Sequence, residues 1–428
     1  MINDVGKAYS LWFGAPSPRR LWKLKVGKQH SSNIQTYTYL CSLEKDARIS
    51  PSPSRPRSTQ STFNMLQTLS STIPDREFEY HTDGIHSVAV LPDKRRMITG
   101  SCDKTLCLWD LKTGVVLKKM EGHCDRVWAL ALSRDGELIA SGDESGELIT
   151  WYGETGESLT PAIKAHSDGI LSLDFSPDGT VLASGSLGGT TKFWSTKTWR
   201  PQGIPIHCGD HVVRCVRYSP SGQLLAIATH GDIEIYNSDT KERVAKFKGH
   251  IQWNSSLAWI PDGTRLLSGG HGQDATIREW DTSTWQQVGD PWTGHTHGIN
   301  AIAIHPAGTL AASASEDSSV RLWQLLDRLT IAVFQPSTSM MRCVAFSMDG
   351  NHILSGGFDN LISEWAIPKD ASPGKALKKP ASKVLSCSIP ALSSTHSMIR
   401  FKFLMRRHVF ILDSDNAVRA YFGRRSSP

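Results

Sequence analysis

The sequence predicts an all-β fold assembled from seven copies of one short unit, and three recurrences carry that prediction. A turn-forming cluster follows an apolar run seven times along the chain. A His stands 18 residues before a Ser or Thr in five of the copies, and a Trp follows ten residues later in most of them. Self-similarity at a fixed period marks a repeat architecture, in which each unit buries its apolar face only against its neighbours. Composition agrees: 428 residues with 35 Gly, 21 Pro and 14 Trp point to many tight turns and repeated aromatic anchors, and 21% charged residues argue against wholesale disorder.

The turn clusters are Leu91-Pro92-Asp93-Lys94, Ser133-Arg134-Asp135-Gly136, Ser176-Pro177-Asp178-Gly179, Ser219-Pro220-Ser221-Gly222, Ile260-Pro261-Asp262-Gly263, His305-Pro306-Ala307-Gly308 and Ser347-Met348-Asp349-Gly350. Pro pre-sets φ, Asp bonds nearby backbone and Gly accepts positive φ, so each cluster between alternating apolar runs reads as a β-hairpin. The second register pairs His81 with Thr99, His123 with Ser141, His166 with Ser184, His250 with Ser268 and His295 with Ser313. Ser337 and Ser355 keep the spacing in the seventh copy without the His. Trp109, Trp151, Trp194, Trp323 and Trp365 follow after ten residues, and Trp280 after 12, because His271-Gly272-Gln273 expands the fifth turn. The fourth copy aligns through its turn, which places Gly209, Ile227 and Tyr236 where the others have His, Ser and Trp. Repeats thus start at 81, 123, 166, 209, 250, 295 and 337, and four short strands at this period predict a seven-bladed β-propeller of four-stranded antiparallel blades.

At this point the chain resembles the WD-repeat β-propeller family. The residues responsible are Gly122-His123, Gly249-His250, Gly294-His295, Trp109-Asp110 and Trp280-Asp281, with Ser/Thr and Asp between them, over residues 73–366. The resemblance implies that His, Ser/Thr, Asp and Trp form a hydrogen-bonded tetrad within a blade. Donors and acceptors balance along such a chain, so no buried polar atom need be left over. Complete sets are His81-Thr99-Asp103-Trp109, His250-Ser268-Asp274-Trp280 and His295-Ser313-Asp317-Trp323. Ser145 and Gly188 occupy the Asp position in the second and third repeats, the seventh keeps Ser355, Asp359 and Trp365, and the fourth has no polar member and is expected to be the least locked. Read as a catalytic triad, the same residue types would need an exposed cleft, and buried tetrads do not offer one.

The resemblance also implies that the strand before each His belongs to the preceding blade. Arg76-Glu77-Phe78-Glu79-Tyr80 has no blade before it, so it is expected to pair beside Leu361-Ile362-Ser363-Glu364-Trp365 and close the ring, removing the free sheet edges. The resemblance further implies binding on the face around the central channel, through positions exposed at fixed offsets in each repeat. The positions three and five residues after each His position, and the one before the tetrad Asp, give Arg126, Trp128, Arg214, Trp253, Met340, Arg342 and Phe358 as partner-binding candidates, with His86, Glu144, Leu171, Leu187, Gln273, Asn300 and Glu316 beside them. Trp, Phe and Arg dominate interface hot spots.

Three domains are expected: a Ser/Pro-rich basic segment at 1–72 read as disordered, the propeller at 73–366, and a largely irregular basic tail at 367–428. The tail's Asp415-Asn416-Ala417-Val418-Arg419 echoes Asp317-Ser318-Ser319-Val320-Arg321, which leaves a truncated eighth repeat open. Residues 1–72 carry net +7 and 367–428 net +9, so the ring carries −10 within an overall +6. The basic pI near 8.8 therefore belongs to the tails, which disfavours a DNA-binding ring.

Neither a signal peptide nor an apolar run long enough to span a bilayer is evident, so a cytoplasmic or nuclear location without a membrane span is expected. There is no G-x-S-x-G elbow, phosphate loop or H-E-x-x-H zinc helix, and Cys208, His211 and Cys215 match no standard zinc module, so no catalytic residue, cofactor or metal is expected. The expected function is a non-catalytic scaffold or substrate-recognition adaptor that binds proteins or peptides as a subunit of a larger complex. The alternative is a nucleic-acid-associated factor whose basic tails supply affinity.

Overall fold

The computed structural model describes residues 69–209 and 211–368, together with short strands at Ala8–Leu11, Trp22–Lys25, Ser42–Lys45, Ile411–Leu412 and Val418–Arg419. The chain divides into two compact units, Met1–Met65 and Leu66–Pro428. In the first, the three short strands pair in chain order. The expected tails at 1–72 and 367–428 otherwise fall largely outside the described residues, as does the question of an eighth repeat, where Ile411–Leu412 pairs antiparallel with Val418–Arg419.

The second unit is all-β, with small antiparallel sheets in a propeller arrangement and no helix among the described residues. The turn clusters do what their chemistry predicts. Asp135, Asp178 and Asp349 each accept a hydrogen bond from the Ser that opens the cluster and from a backbone N–H two residues on. The same Ser oxygens accept from the N–H of Leu138, Val181 and His352 at the start of the next strand. Gly136, Gly179 and Gly350 sit at φ between 71° and 76°, and Lys94, lacking the option of Gly, takes φ 61° in the first cluster.

Sheets form from successive repeats. The first holds Ile85–Val90, Arg96–Ser101, Leu106–Asp110 and Val116–Met120 in chain order, and the second and third repeat that order. Each hydrophobic cluster then draws on two successive repeats. Ile98, Leu106 and Leu108 of the first repeat pack with Val127, Ile149 and Trp151 of the second, and so on round to Cys343, Leu354 and Ile362 of the seventh against Ile85, Met97 and Trp109 of the first. Trp109, Trp151, Trp323 and Trp365 are almost fully buried in these seams. Each removes about 200 Å² from water, a stabilisation on the order of 5 kcal/mol relative to exposure.

Closure follows the expected pairing: Arg76–Glu79 lies antiparallel to Leu361–Ala366, with Phe78 opposite Ile362 and Glu77 opposite Ser363. Arg76 adds an ion pair to Glu364 at 2.6 Å.

Two features depart from seven separate four-stranded antiparallel blades. There are six sheets in the ring, because the fourth and fifth repeats share a six-stranded one. Its cause is the 17-residue strand Arg243–Trp259, whose first half pairs with His230–Asn237 and whose second half pairs with Arg265–His271. The first three repeats break the chain after their His with Asp-Gly or Asp-Arg, and the sixth with His297-Gly298; Asp83 and Asp125 each bond the N–H that follows. The fifth repeat reads His250-Ile251-Gln252-Trp253 there, with no turn former, so the strand runs on. The other departure is Leu69–Ser71, inside the stretch assigned to the N-terminal segment, which pairs parallel with Thr330–Phe334 as a fifth strand of the sixth repeat's sheet.

Candidate functional site

The His-centred sets are buried and ordered by hydrogen bonds. In the first repeat His81 Nδ1 lies 2.7 Å from Asp103, its Nε2 2.8 Å from Thr99 Oγ1, and Trp109 Nε1–H donates to Thr99 at 2.9 Å. The sixth repeats this with His295, Asp317, Ser313 and Trp323 at 2.7–2.8 Å. With Nδ1–H given to the carboxylate, Nε2 accepts the hydroxyl proton and the hydroxyl oxygen accepts from Trp, so every member is satisfied. Burial works to raise the Asp103 and Asp317 carboxyls, but hydrogen bonds from His81 and Thr105, or from His295 and Ser319, outweigh it and hold both well below the usual range.

The fifth set is looser than the sequence implies. His250 Nε2 is 2.9 Å from Ser268 Oγ and Trp280 donates to the same oxygen, but His250 Nδ1, 3.1 Å from Asp274, is not aligned for a hydrogen bond. Asp274 instead accepts from Ile251 N–H and Arg278. The same continuous strand carries Asn254-Ser255-Ser256, a formal glycosylation sequon. Asn254 is fully buried, with its amide given to Thr229 and Asp232 carbonyls, so it is closed to that modification.

Three positions need correction. In the second repeat the carboxylate comes from Asp143, two residues before Ser145, and lies 2.9 Å from His123 Nδ1. Asp143 stands where Ser101, Ser186 and Ser315 each donate to a loop carbonyl in the first, third and sixth repeats. In the third, Thr190 rather than Gly188 meets His166 Nδ1, at 3.0 Å. With no carboxylate there, burial and then the Lys192 charge push His166 down to about 4. The fourth repeat is not an empty site. The Tyr236 hydroxyl donates to Glu234, and Lys246 bridges Glu234 at 2.8 Å and Asp232 at 3.1 Å.

A different set of side chains is open to solvent at the channel mouth. A cavity of about 460 Å³ is lined by Arg126, Trp128, Arg214, Arg342 and Phe358 of the seven predicted partner-binding residues. Trp253 and Met340 are not in the lining. Trp253 backs it, under the Arg214 guanidinium at 4.0 Å and stacked on His271 at 5.5 Å, while Met340 is exposed nearby at 43%.

The positions five residues after each repeat start all converge here: His86, Trp128, Leu171, Arg214, Ser255, Asn300 and Arg342. The innermost strands show why. Pairing registers skip one residue between Ile85 and Ser87, Val127 and Ala129, Ile170 and Ser172, Asn254 and Ser256, Ile299 and Ala301, and Met341 and Cys343. The skipped residue in each case is one of the converging set. A β-bulge leaves its extra residue unpaired and re-aims its side chain, so six bulges turn these six side chains into the cavity. The five-residue offset that the family resemblance supplies also reaches Ser255; Asp83 and His271 carry no such signal.

Glycines make room for the aromatics. A Cβ at Gly84 would lie 2.5 Å from Phe358, and one at Gly169 would lie 2.7 Å from Trp128. His86 sits between those two rings, 5.7 Å from Phe358 and 6.3 Å from Trp128. Burial, then the Arg342 and Arg126 charges, push it down to about 4, so it is neutral near pH 7. Cys102, also in the lining, is pushed up to about 11 by burial and is a protonated thiol. Burial lowers the Arg214 and Arg342 pKa values, but both guanidiniums remain charged. Cys208, His211 and Cys215 do not form a ligand set, and no group of three His, Cys, Asp or Glu among the described residues is placed to hold a metal.

Comparison with known proteins bears on the same ring. A family model described as the IFT122 first beta-propeller matches residues 84–289, and the WD domain, G-beta repeat, matches 286–324 and 329–365. Protein groucho of Drosophila melanogaster is 28% identical over 113 residues, 26% of this chain and 15% of that protein's length. Propellers of this kind generally mediate protein–protein interaction and are generally non-catalytic. With propeller sheets, repeat spacing and both family models in agreement, the chain belongs to the WD-repeat β-propeller family.

Proposed function

We propose that this chain is a non-catalytic interaction scaffold or substrate-recognition adaptor that holds a peptide or protein at the channel mouth. Arg126, Trp128, Arg214, Trp253, Met340, Arg342 and Phe358 are its contact residues. The observation that carries this is the convergence of five of them on one cavity, with Trp128 and Arg342 turned into it by bulges at the starts of their innermost strands. Bulges that aim side chains at solvent are not required by packing, and Trp and Arg gathered there suit a binding hot spot.

In this reading the tetrads at His81, His250 and His295 brace their sheets rather than react, and the six-stranded sheet serves as two blades, giving a count of seven. That count is supported by hydrophobic clusters drawn from each successive pair of repeats. Residues 73–366 are the recognition module, the flanks are basic arms, and the working location is the cytoplasm or nucleus. The charge contrast, +7 and +9 in the flanks against −10 in the ring, supports a second reading in which the arms hold nucleic acid.

Affinity purification from cells, comparing wild type with Trp128→Ala plus Arg342→Ala, separates the two. The expected result is loss of a discrete set of proteins with the melting curve unchanged. An identical set from both chains overturns the assignment of the face. Nucleic acid recovered equally with both chains, and released by salt, favours the second reading.

A further inference from the structure

A sheet that ends on an exposed strand offers unpaired N–H and C=O groups to any chain that can match them, and folded proteins guard such edges with charge, proline or shortness. The outer edges of this ring differ in how they do so. Val116–Met120, on the first repeat's sheet, exposes Lys118 and Lys119. Ile163–Lys164 and Ile206–His207, on the next two, are two residues long and follow Pro161 and Pro205. The outer half of Arg243–Trp259 carries Arg243, Lys246 and Lys248. Beyond Ile277–Asp281 the chain pairs only through isolated bridges and holds Pro291. Arg76–Glu79, which closes the ring, is charged at three of its four positions.

The sixth repeat's outer strand has none of these devices. Thr330–Phe334 reads Thr-Ile-Ala-Val-Phe, five residues without a charge or a proline. Short uncharged windows of high β-propensity are the ones that pair with other chains. Ala332 and Phe334 are buried, and Phe334 packs on Trp365 at 4.9 Å, so the core holds this strand in place as a template. It is also the edge on which Leu69–Ser71 lies, with Leu69 opposite Ala332, Ser70 opposite Val333 and Ser71 opposite Phe334. Among the described outer edges, the one with no protection in its own sequence is the one that carries an added strand.

That cover is light. It is three residues long and parallel, and a parallel pair is slightly less stable per residue than an antiparallel one. Gln335 N–H donates to the Ser71 carbonyl at 2.9 Å, but the Ser71 hydroxyl turns back to the Ile73 carbonyl at 3.0 Å, and Ser70 and Ile73 are exposed. What keeps the strand at its site is a tether. Just downstream, Asp75 N–H donates to the Glu364 carbonyl at 2.9 Å, and Arg76–Glu79 joins the seventh repeat's sheet.

We propose that Leu69–Ser71 is a guard strand, occupying in cis an edge that otherwise pairs with a second copy of this chain. In that pairing Thr330–Phe334 meets its own counterpart, antiparallel about a twofold axis. The arrangement is self-complementary, engages the whole strand rather than three residues, and joins two uncharged edges without burying a charge. Because the guard is tethered, its re-docking is intramolecular, and a second copy competes against a high effective concentration. None of these residues lines the channel-mouth cavity, so the two surfaces are tested separately.

The test compares the full wild-type chain with Ser71→Pro and with Leu69→Pro plus Ser71→Pro, since a proline cannot donate to a ladder. Hydrogen exchange should show protection lost at residues 332–335, with Leu310–Ser315 unchanged as the check that the ring is intact. Sedimentation velocity should show the double variant dimerising with a Kd on the order of 10 µM, and wild type at least about tenfold more weakly, because its edge is open for only a fraction of the time. Ser71→Pro alone should shift the same way to a smaller extent, and it carries the test if the double variant does not fold. Adding Val333→Lys to either variant places a charge on the edge and should restore the wild-type profile, as should an excess of a peptide copying residues 66–74. Unchanged exchange at 332–335, dimerisation no stronger than that of wild type, or dimerisation that survives Val333→Lys overturns the proposal. A variant that binds the peptide yet stays monomeric also overturns it, by removing the second copy as the occupant.

Discussion

The sixth and fourth repeats solve the same problem in opposite ways. Each must tie an outer loop to buried strands. The sixth does so with His295, Ser313, Asp317 and Trp323, side chains largely withdrawn from solvent and joined by a single chain of hydrogen bonds. The fourth has Ile227 and Tyr236 at the equivalent places and uses charge instead. Glu234 is buried, but its partners Lys246 and Arg243 are 40% and 52% exposed, and Asp232 is met by Lys248 at 2.7 Å. A buried, fully satisfied network is rigid and indifferent to salt, whereas a network with one foot in solvent is screened. The third repeat lies between them, with the His and the hydroxyl in place but Thr190 where the carboxylate would be.

That contrast can be broken most severely at Asp317. Truncation to Ala strips an acceptor from His295, from the Thr296 N–H and from Ser319 at once. We expect Asp317→Ala to lose about 3 kcal/mol of unfolding free energy, read by denaturant titration. Equal melting temperatures for variant and wild type would remove the structural role from the set.

The third repeat should respond to acid. The folded pKa of His166 is about 4 against an ordinary 6.5, so the unfolded chain binds the proton first as pH falls. The stabilising contribution is therefore complete above pH 6.5 and is lost progressively toward pH 4, by up to about 3 kcal/mol. Subtracting the stability curve of His166→Asn from that of wild type should isolate this slope. A flat difference over that window contradicts it. In the sixth repeat the Asp317 bond and charge push His295 back up against the same burial, so its acid response should be weaker.

The fourth repeat should show the smallest effect and the greatest dependence on salt. Glu234→Gln keeps an acceptor for the Tyr236 hydroxyl but drops the charge that Lys246 meets, and we expect a cost of about 1 kcal/mol that shrinks toward zero near 1 M salt. Hydrogen-exchange protection over Ile233–Tyr236 should fall with salt in wild type while protection over Leu310–Ser315 holds. Parallel behaviour of both stretches would erase the distinction drawn here.

What was legible in the sequence follows from this physics. Hairpin turns and repeat register depend on local turn chemistry and on strict spacing, both of which are written residue by residue, whereas the closing strand at Arg76–Glu79 was reached only through the family resemblance. Most of the converging positions at the channel mouth were reached through the family resemblance, and the bulges that recur at a fixed distance from the repeat starts are the physical reason the offset works. Asp143 was not, because a carboxylate two residues earlier on a strand can reach the same imidazole through space, and spacing does not report reach. Nor was the continuous Arg243–Trp259 strand, which arises from a missing turn former rather than from a positive signal. The charged cluster around Glu234 escaped because its members share no motif, only proximity after folding.

The closing strand has a consequence for how the ring is made. Arg76 finds its partner Glu364 only across 288 residues of sequence. At about 5–20 residues per second, a ribosome needs roughly 15–60 s to supply the second after the first. Through that interval Arg76–Glu79 is synthesised but unmatched, and every sheet between them can form before the last seam shuts. A propeller closed in this way acquires its final cooperativity late. The closing strand is also one that must be kept from pairing with a neighbouring chain until the seventh repeat emerges.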